Sequence, residues 1–175
     1  MRNYLLFVTA LFFSIQAQSG ETEQVPVAAV SAFAKPVLVG MQLSVRKGQQ
    51  QGQVSAGVAK CVQSLDASSL NPLFLSLLTE NLTKNELKAT EDFFVTAVGR
   101  KYAKHGLMQV YTSLGEQPPE ALPGFSEAEY KELENFSRTS AGEKLLVRKV
   151  LSSVSANQAI SAHIQGVLKS CARKS

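Results

Sequence analysis

The sequence predicts an all-α protein, a compact bundle of about six or seven helices with an internal duplication. Three observations predict it. Apolar residues recur at helical spacing nearly everywhere, no segment shows the strict alternation of a half-buried strand, and one pattern of helix signals occurs twice. The 175 residues are 45% hydrophobic and include two cysteines, which excludes a disordered chain and a disulfide-dense scaffold.

The N-terminus predicts a secretory signal peptide over residues 1–19. Arg2 precedes an apolar run over residues 4–13 that is too short to cross a bilayer, and the small residues Ala17 and Ser19 follow it. An N-terminal membrane anchor and a buried helix are the alternatives, and cleavage after Ala17 or after Ser19 fits equally well. Removing 19 of the 175 residues leaves 156, and the loss of Arg2 lowers the formal net charge from +4 to +3. We therefore expect an exported protein that resides in the periplasm, with secretion from the cell as the alternative. We expect no transmembrane segment in the mature chain.

Residues 20–52 are predicted to form an N-terminal helix and a polar linker. The helix lies near residues 27–47, with Pro36 starting or kinking it, and residues 48–52 lack periodicity. The remaining residues, 53–175, are predicted to form a duplicated helical domain.

Within that domain, apolar stripes and breaking residues place the helices. Asn71 and Pro72 fit the entry to a helix, because Pro is tolerated in a first turn. Residues 115–124 hold three prolines and two glycines, which predicts a surface connection. Further stripes are predicted to continue helices at Leu107, Tyr111 and Leu114, and at Leu146, Val150 and Val154.

The two cysteines lie on apolar stripes at opposite ends of the domain. Cys61 belongs to the stripe of Val54, Val58, Val62 and Leu65, and Cys171 to the stripe of Ile160, Ile164, Val167 and Leu168. In an exported chain they can form a disulfide, which we favour, or remain two buried thiols. The absence of a Cys-x-x-Cys pattern argues against a redox-active pair.

The duplication is the most informative feature of the sequence. Residues 82–106 and 125–149 align at a constant offset of 43, with seven of 25 positions identical. Thr83 with Glu86, and Ser126 with Glu129, have the spacing of capping boxes at a helix start. Each copy then carries an aromatic residue, a Thr, a Gly and a Lys at fixed spacing, which are Phe93, Thr96, Gly99 and Lys101 in the first copy and Phe136, Thr139, Gly142 and Lys144 in the second.

This pattern predicts a helix, a corner and a second helix in each copy. Thr96 and Thr139 can cap the helix that follows, and the glycine permits a sharp bend or a close approach of another helix. Since every repeated residue has a structural use, we interpret the motif first as structural and only then as a binding surface.

The segments NELKATEDFFVTAVGRKYAKH and AEYKELENFSRTSAGEKLLVRK resemble the DUF2059 family of exported bacterial proteins. That family has an aromatic residue followed by Ser/Thr-x-x-Gly-x-Lys between two helices, and the resemblance covers roughly residues 60 to 172. The sequence departs from the aromatic-Tyr-x-Ser form of this hallmark. The resemblance implies a helical envelope protein and supplies no catalytic residue.

Residue patterns that carry chemistry are few. His105 and His163 have no Cys, His or carboxylate at i±3 or i±4, so spacing predicts no metal site and no cofactor. Four carboxylates occupy the opening turns of a predicted helix, namely Glu127, Glu129, Glu132 and Glu134. Because the helix dipole stabilises negative charge there, we interpret them as a solvated helix face and not as a catalytic pair. The sequence contains no run of basic residues interleaved with aromatic residues, so it does not predict nucleic-acid binding.

We therefore expect a non-enzymatic binding or structural protein with a protein partner or self-association. A periplasmic immunity or inhibitor protein against a secreted toxin is the alternative, and an enzyme is the third class.

Overall fold

The computed structural model describes residues 26–174, all of whose regular elements are helical. The α-helices are α1 (Val27–Gln50), α2 (Ala56–Gln63), α3 (Asn71–Asn81), α4 (Lys84–Phe94), α5 (Ala97–Ser113), α6 (Glu127–Ser137), α7 (Ser140–Gly142) and α8 (Val154–Lys174). Two 3₁₀ turns, Ala67–Leu70 and Val150–Ser152, and a π-helical turn, Glu143–Val147, complete them. The all-α prediction is confirmed. The proposed signal peptide lies outside the described residues.

The long helix α1 lies at the centre of the bundle and packs against α2, α3, α4 and α5. Its buried face includes Ala29, Ala34, Leu38 and Met41, which join one core with residues of the duplicated part such as Phe94. Pro36 lies inside α1. The N-terminal helix and the repeats therefore share one hydrophobic core.

The α1 helix extends further than its sequence predicts. It continues through Gln50, so that Gly48 and its neighbours are helical and only a short turn separates α1 from α2. The Gly48 carbonyl accepts hydrogen bonds from the backbone N–H groups of Gln53 and Val54, at 2.8 and 3.2 Å. A Cβ at Gly48 would lie 2.9 Å from the Val54 side chain. The glycine therefore allows the chain to fold back directly onto the helix.

Among residues 26–174, α1 is also the one helix long and apolar enough to cross a membrane by length and composition. One third of its most apolar window is buried in the protein. The central core helix of a protein can meet the same criteria, and the buried face of α1 lies in the hydrophobic core.

Other predicted boundaries agree with the structure. Helix α3 begins at Asn71 with Pro72 in its first turn, and the proline-rich connection joins α5 to α6 without regular structure. Gly115 ends α5 with φ of 73°, a left-handed conformation that glycine adopts without steric cost.

The stripe predicted over Leu146, Val150 and Val154 is not one helix. Leu146 lies in the π-helical turn, Val150 in a 3₁₀ turn and Val154 at the exposed start of α8. The break is at Lys149, the one described non-glycine residue with positive φ, 50°. A π-helical turn and a left-handed lysine change the chain direction here. Because no glycine or proline marks this position, the apolar spacing did not predict the break.

The start of α1 is capped by a distant side chain. Its N-cap residue, Pro26, provides no side-chain cap, and the Glu91 carboxylate of α4 accepts from the backbone N–H groups of Ala28 at 2.9 Å and Ala29 at 2.8 Å. Two of the unpaired N–H groups of the first turn are thereby satisfied by an anion that the helix dipole favours. Glu134, the counterpart of Glu91 in the second copy, pairs instead with exposed Arg138.

We expect Glu91→Ala to lower the free energy of unfolding by about 1–3 kcal/mol, since it removes two charge-assisted hydrogen bonds from a helix start. Glu134→Ala is the matched control and should change stability by less than about 0.5 kcal/mol. Urea unfolding followed by circular dichroism measures both. Equal losses for the two variants would contradict a capping role for Glu91.

Candidate functional site

Cys61 of α2 and Cys171 of α8 form a disulfide with a Cα–Cα distance of 5.6 Å. The bridge joins positions 110 residues apart and fixes the end of the last helix to the first part of the domain. Cys171 is buried, and α2 and α8 pack along one another around it. The disulfide alternative is therefore the one that the structure contains.

The two repeat copies face each other through reciprocal ion pairs. The Lys144 ammonium of the second copy lies 2.7 Å from the Glu86 carboxylate of the first, and Lys101 of the first lies 2.7 Å from Glu129 of the second. Since Glu86 corresponds to Glu129 and Lys101 to Lys144, the two pairs are related by a pseudo-two-fold exchange. Such self-complementary contacts are the mark of an isologous interface, here within one chain.

Both glutamates also complete the predicted capping boxes. Glu86 accepts from the Thr83 backbone N–H at 2.7 Å, and Glu129 accepts from that of Ser126 at the same distance. The hydroxyls of Thr83 and Ser126 accept in return from the glutamate backbone N–H groups. Each glutamate thus starts its own helix and binds the lysine of the other copy.

The two glutamates differ in one partner. Glu86 accepts an additional hydrogen bond from the Ser140 hydroxyl, whereas the residue equivalent to Ser140 in the first copy is Ala97. The Lys144 ammonium, with Ser140 and the Thr83 N–H, lowers the pKa of Glu86 from 4.5 to about 2. The Lys101 ammonium and the Ser126 N–H also hold the pKa of Glu129 below its ordinary value.

These depressed pKa values predict an acid-sensitive fold. The Glu86 contribution to stability is fully present above its unfolded pKa near 4.5 and is lost as the pH falls towards about 2. We expect Glu86→Gln to flatten the fall in unfolding free energy between pH 5 and pH 2. The matched control is Glu132→Gln, at an exposed position of α6, which should leave the slope unchanged. Parallel pH curves for wild type and Glu86→Gln would contradict the assigned pairing.

An aromatic pair also joins the two copies. The rings of Phe93 and Phe136 stack with centroids 3.9 Å apart and an interplanar angle of 1°. Both residues are buried, so the equivalent aromatic residues of the two copies meet each other in the core.

The repeated threonine and glycine form the corner in each copy. The Thr96 hydroxyl donates to the Phe93 carbonyl and accepts from the Gly99 N–H, and Thr139 makes the same two bonds with Phe136 and Gly142. A Cβ on Gly99 would lie 2.0 Å from the Phe93 carbonyl oxygen, and one on Gly142 would lie 1.9 Å from that of Phe136. Both glycines are therefore required by the close approach of the preceding helix end.

After the corner, the two copies diverge. The first continues as the 17-residue helix α5, whereas the second forms the three residues of α7 and then the π-helical turn. The repeat is thus a shared corner with different extensions. The repeated phenylalanines, threonines and lysines make their contacts within the protein.

The remaining predicted residues form no reactive cluster among residues 26–174. His105 contacts the Pro123 carbonyl and His163 the Ser69 carbonyl, each at 3.2 Å. The described residues contain no group of three or more His, Cys, Asp or Glu side chains placed to hold a metal ion.

A groove between α1 and α5 is the surface feature that sequence reasoning missed. It has a volume of about 520 Å³ and lies between residues 28–36 of α1 and residues 100–108 of α5. Its apolar lining includes Ala28 and Ala32 of α1 and Ala103 and Leu107 of α5, with Val95 at the end of α4. The spacing of small residues on α1 and α5 was a signal for it, but only the pairing of these helices shows that the two faces meet.

Searches with the chain against protein-family models, curated proteins and solved structures found no match. The resemblance to the DUF2059 family therefore stays a prediction.

Proposed function

We propose that this chain is an exported, non-enzymatic helical protein of the bacterial envelope that acts by binding a partner or as a structural component. The observation that carries the proposal is the Cys61–Cys171 disulfide, because such bridges form and persist in oxidising compartments such as the periplasm. The leader-like sequence of residues 1–19 supports the same location.

The use of the repeated polar residues supports a binding or structural role over catalysis. Glu86, Lys101, Glu129 and Lys144 neutralise one another across the two copies. These four repeated charged groups therefore serve the fold, because they pair with one another instead of converging on a substrate.

Export is tested by expressing the full chain in a Gram-negative bacterium and separating periplasm from cytoplasm. We expect the protein in the periplasm, shortened after Ala17 or Ser19, with neither Cys61 nor Cys171 alkylated unless a reductant is added. Leu11→Arg, which interrupts the apolar run of the leader, should retain the chain in the cytoplasm with both thiols reactive. Val147→Arg, an equally drastic change at an exposed position, is the matched control and should be exported normally. An uncleaved wild-type chain in the cytoplasm with two alkylated thiols would refute the proposal.

A further inference from the structure

The groove between α1 and α5 combines an apolar floor with basic side chains on both walls. The small side chains of Ala28 and Ala32 on α1 and of Ala103 on α5 leave space that larger side chains would fill. Lining residues on α1 recur at i, i+3, i+4 and i+7 over residues 28–35, and those on α5 repeat the spacing over residues 100–107, so that one face of each helix contributes.

The two helices run in the same direction, which defines the shape of the groove. Gly40 of α1 lies against Val110 of α5, where a Cβ would be 3.5 Å from the Val110 side chain, and Arg46 pairs with Glu116 further along at 2.8 Å. The helices are thus joined beyond the groove, and its length corresponds to about eight helical residues, or about 12 Å. An elongated, narrow ligand fits this shape.

Charge on the groove walls favours an anionic ligand. Lys35 stands on the α1 side, and Arg100 and Lys104 stand on the α5 side, with Glu120 of the proline-rich connection as the one acidic lining residue. Glu120 pairs with Lys104, so it neutralises one of the three basic groups. Arg100 donates to the Val95 carbonyl, which holds its guanidinium beside the groove. The lining residues retain a net charge of +2.

Val95 adds an apolar surface that the fold leaves open. It is 49% exposed although it follows directly after the buried Phe94, and both residues line the groove. Ligand sites of proteins are typically apolar concavities of about 300–1,000 Å³ with a few polar groups that orient the ligand. The groove has that composition and size.

We infer that the groove binds a single-chain fatty acid, with the alkyl chain between α1 and α5 and the carboxylate at the Lys35 end of the groove. Apolar burial of the chain provides the affinity, and the basic walls select the anionic head group. The inference rests on the binding role proposed above and specifies its ligand.

Isothermal titration of the oxidised full chain tests this, with decanoate as the probe below its micelle concentration. Nonyltrimethylammonium, which has the same alkyl chain and the opposite charge, is the matched ligand. We expect saturable binding of decanoate and at least about ten-fold weaker binding of the cation. No decanoate binding, or equal binding of the two amphiphiles, would overturn the inference. Association with phosphatidylglycerol vesicles without binding of soluble decanoate would also overturn it, in favour of a membrane-facing surface.

Three variants locate the ligand. Ala103→Leu and Ala32→Leu fill the groove from opposite walls and should each weaken decanoate binding about ten-fold or more. Lys35→Gln, at an exposed position, should weaken it about two- to five-fold, whereas Lys131→Gln on α6 should not. Circular dichroism checks that each variant is folded, and Lys35→Gln keeps the test decisive if a leucine variant unfolds. Decanoate binding unchanged by Lys35→Gln and by the folded leucine variants would place the ligand elsewhere and contradict the inference.

The two proposals fail in distinguishable ways. Export is read from cell fractions and thiol alkylation, whereas ligand binding is read from purified oxidised protein. A groove that binds nothing leaves the export result untouched, and a chain retained in the cytoplasm can still be oxidised and titrated.

Discussion

Reduction of the Cys61–Cys171 disulfide is expected to lower the free energy of unfolding by about 3–5 kcal/mol, since the bridge constrains an unfolded loop of 110 residues. This is a large share of the stability of a domain of this size, which is typically about 5–15 kcal/mol. The bridge also fixes the end of α8 to α2, and it is the covalent cross-link between the last helix and the first part of the domain. Urea unfolding with and without dithiothreitol measures the effect.

The double variant Cys61→Ser, Cys171→Ser provides the control for this result. It should match the reduced wild type in stability and show no response to dithiothreitol, because the reductant then has no bridge to break. An unfolding midpoint of the wild type that is insensitive to the reductant would show that the disulfide is absent or makes no contribution.

Alanine at either repeated glycine is expected to destabilise the protein by about 3 kcal/mol or more. The new Cβ would lie 2.0 Å from the Phe93 carbonyl oxygen in Gly99→Ala and 1.9 Å from the Phe136 carbonyl oxygen in Gly142→Ala. Backbone atoms cannot rotate away as a flexible side chain can, so the whole corner must open. That movement would also disturb the Phe93–Phe136 stack and the ion pairs between the two copies.

Two other helical glycines serve as matched controls. A Cβ at Gly106 in α5 or at Gly166 in α8 meets nothing within 4 Å. Gly106→Ala and Gly166→Ala should therefore stabilise the protein by up to about 1 kcal/mol through the higher helix propensity of alanine. Chemical denaturation of all four variants gives the comparison. If Gly99→Ala were as stable as Gly106→Ala, the close approach at the corner would be wrong.

Local features of the fold were readable from the sequence because their signals are short-range. The capping boxes at Thr83 and Ser126 and the helix entry at Asn71-Pro72 depend on residues within one turn. The apolar stripes likewise placed both cysteines on packed helices, although spacing alone left the disulfide and the two buried thiols as alternatives.

Long-range features required the structure. Glu86 and Lys144 are 58 residues apart, and nothing in either segment specifies that the lysine of one copy pairs with the glutamate of the other. The cap that Glu91 provides for α1 spans 63 residues and gives no local signal. The groove also required the structure, since it depends on which faces of α1 and α5 are opposed.

The copies also show how a duplicated unit can keep its corner and change its surroundings. Glu91 caps α1 whereas its counterpart Glu134 pairs with a neighbour, and Ser140 binds Glu86 where Ala97 has no hydroxyl to do the same for Glu129. Among the residues identical in both copies, Phe93, Thr96, Gly99 and Lys101 with their counterparts build the corner or cross between the copies.

A double-mutant cycle tests most directly whether the repeated motif is an internal interface between its two copies. Glu86→Gln and Lys144→Met are combined in one cycle, and Glu86→Gln and Lys101→Met, which lie in the same copy, are combined in a second. We predict clear coupling for Glu86 with Lys144 and none for Glu86 with Lys101, measured by urea unfolding at pH 7. Additive effects in the first cycle, or equal coupling in both, would contradict the reciprocal pairing.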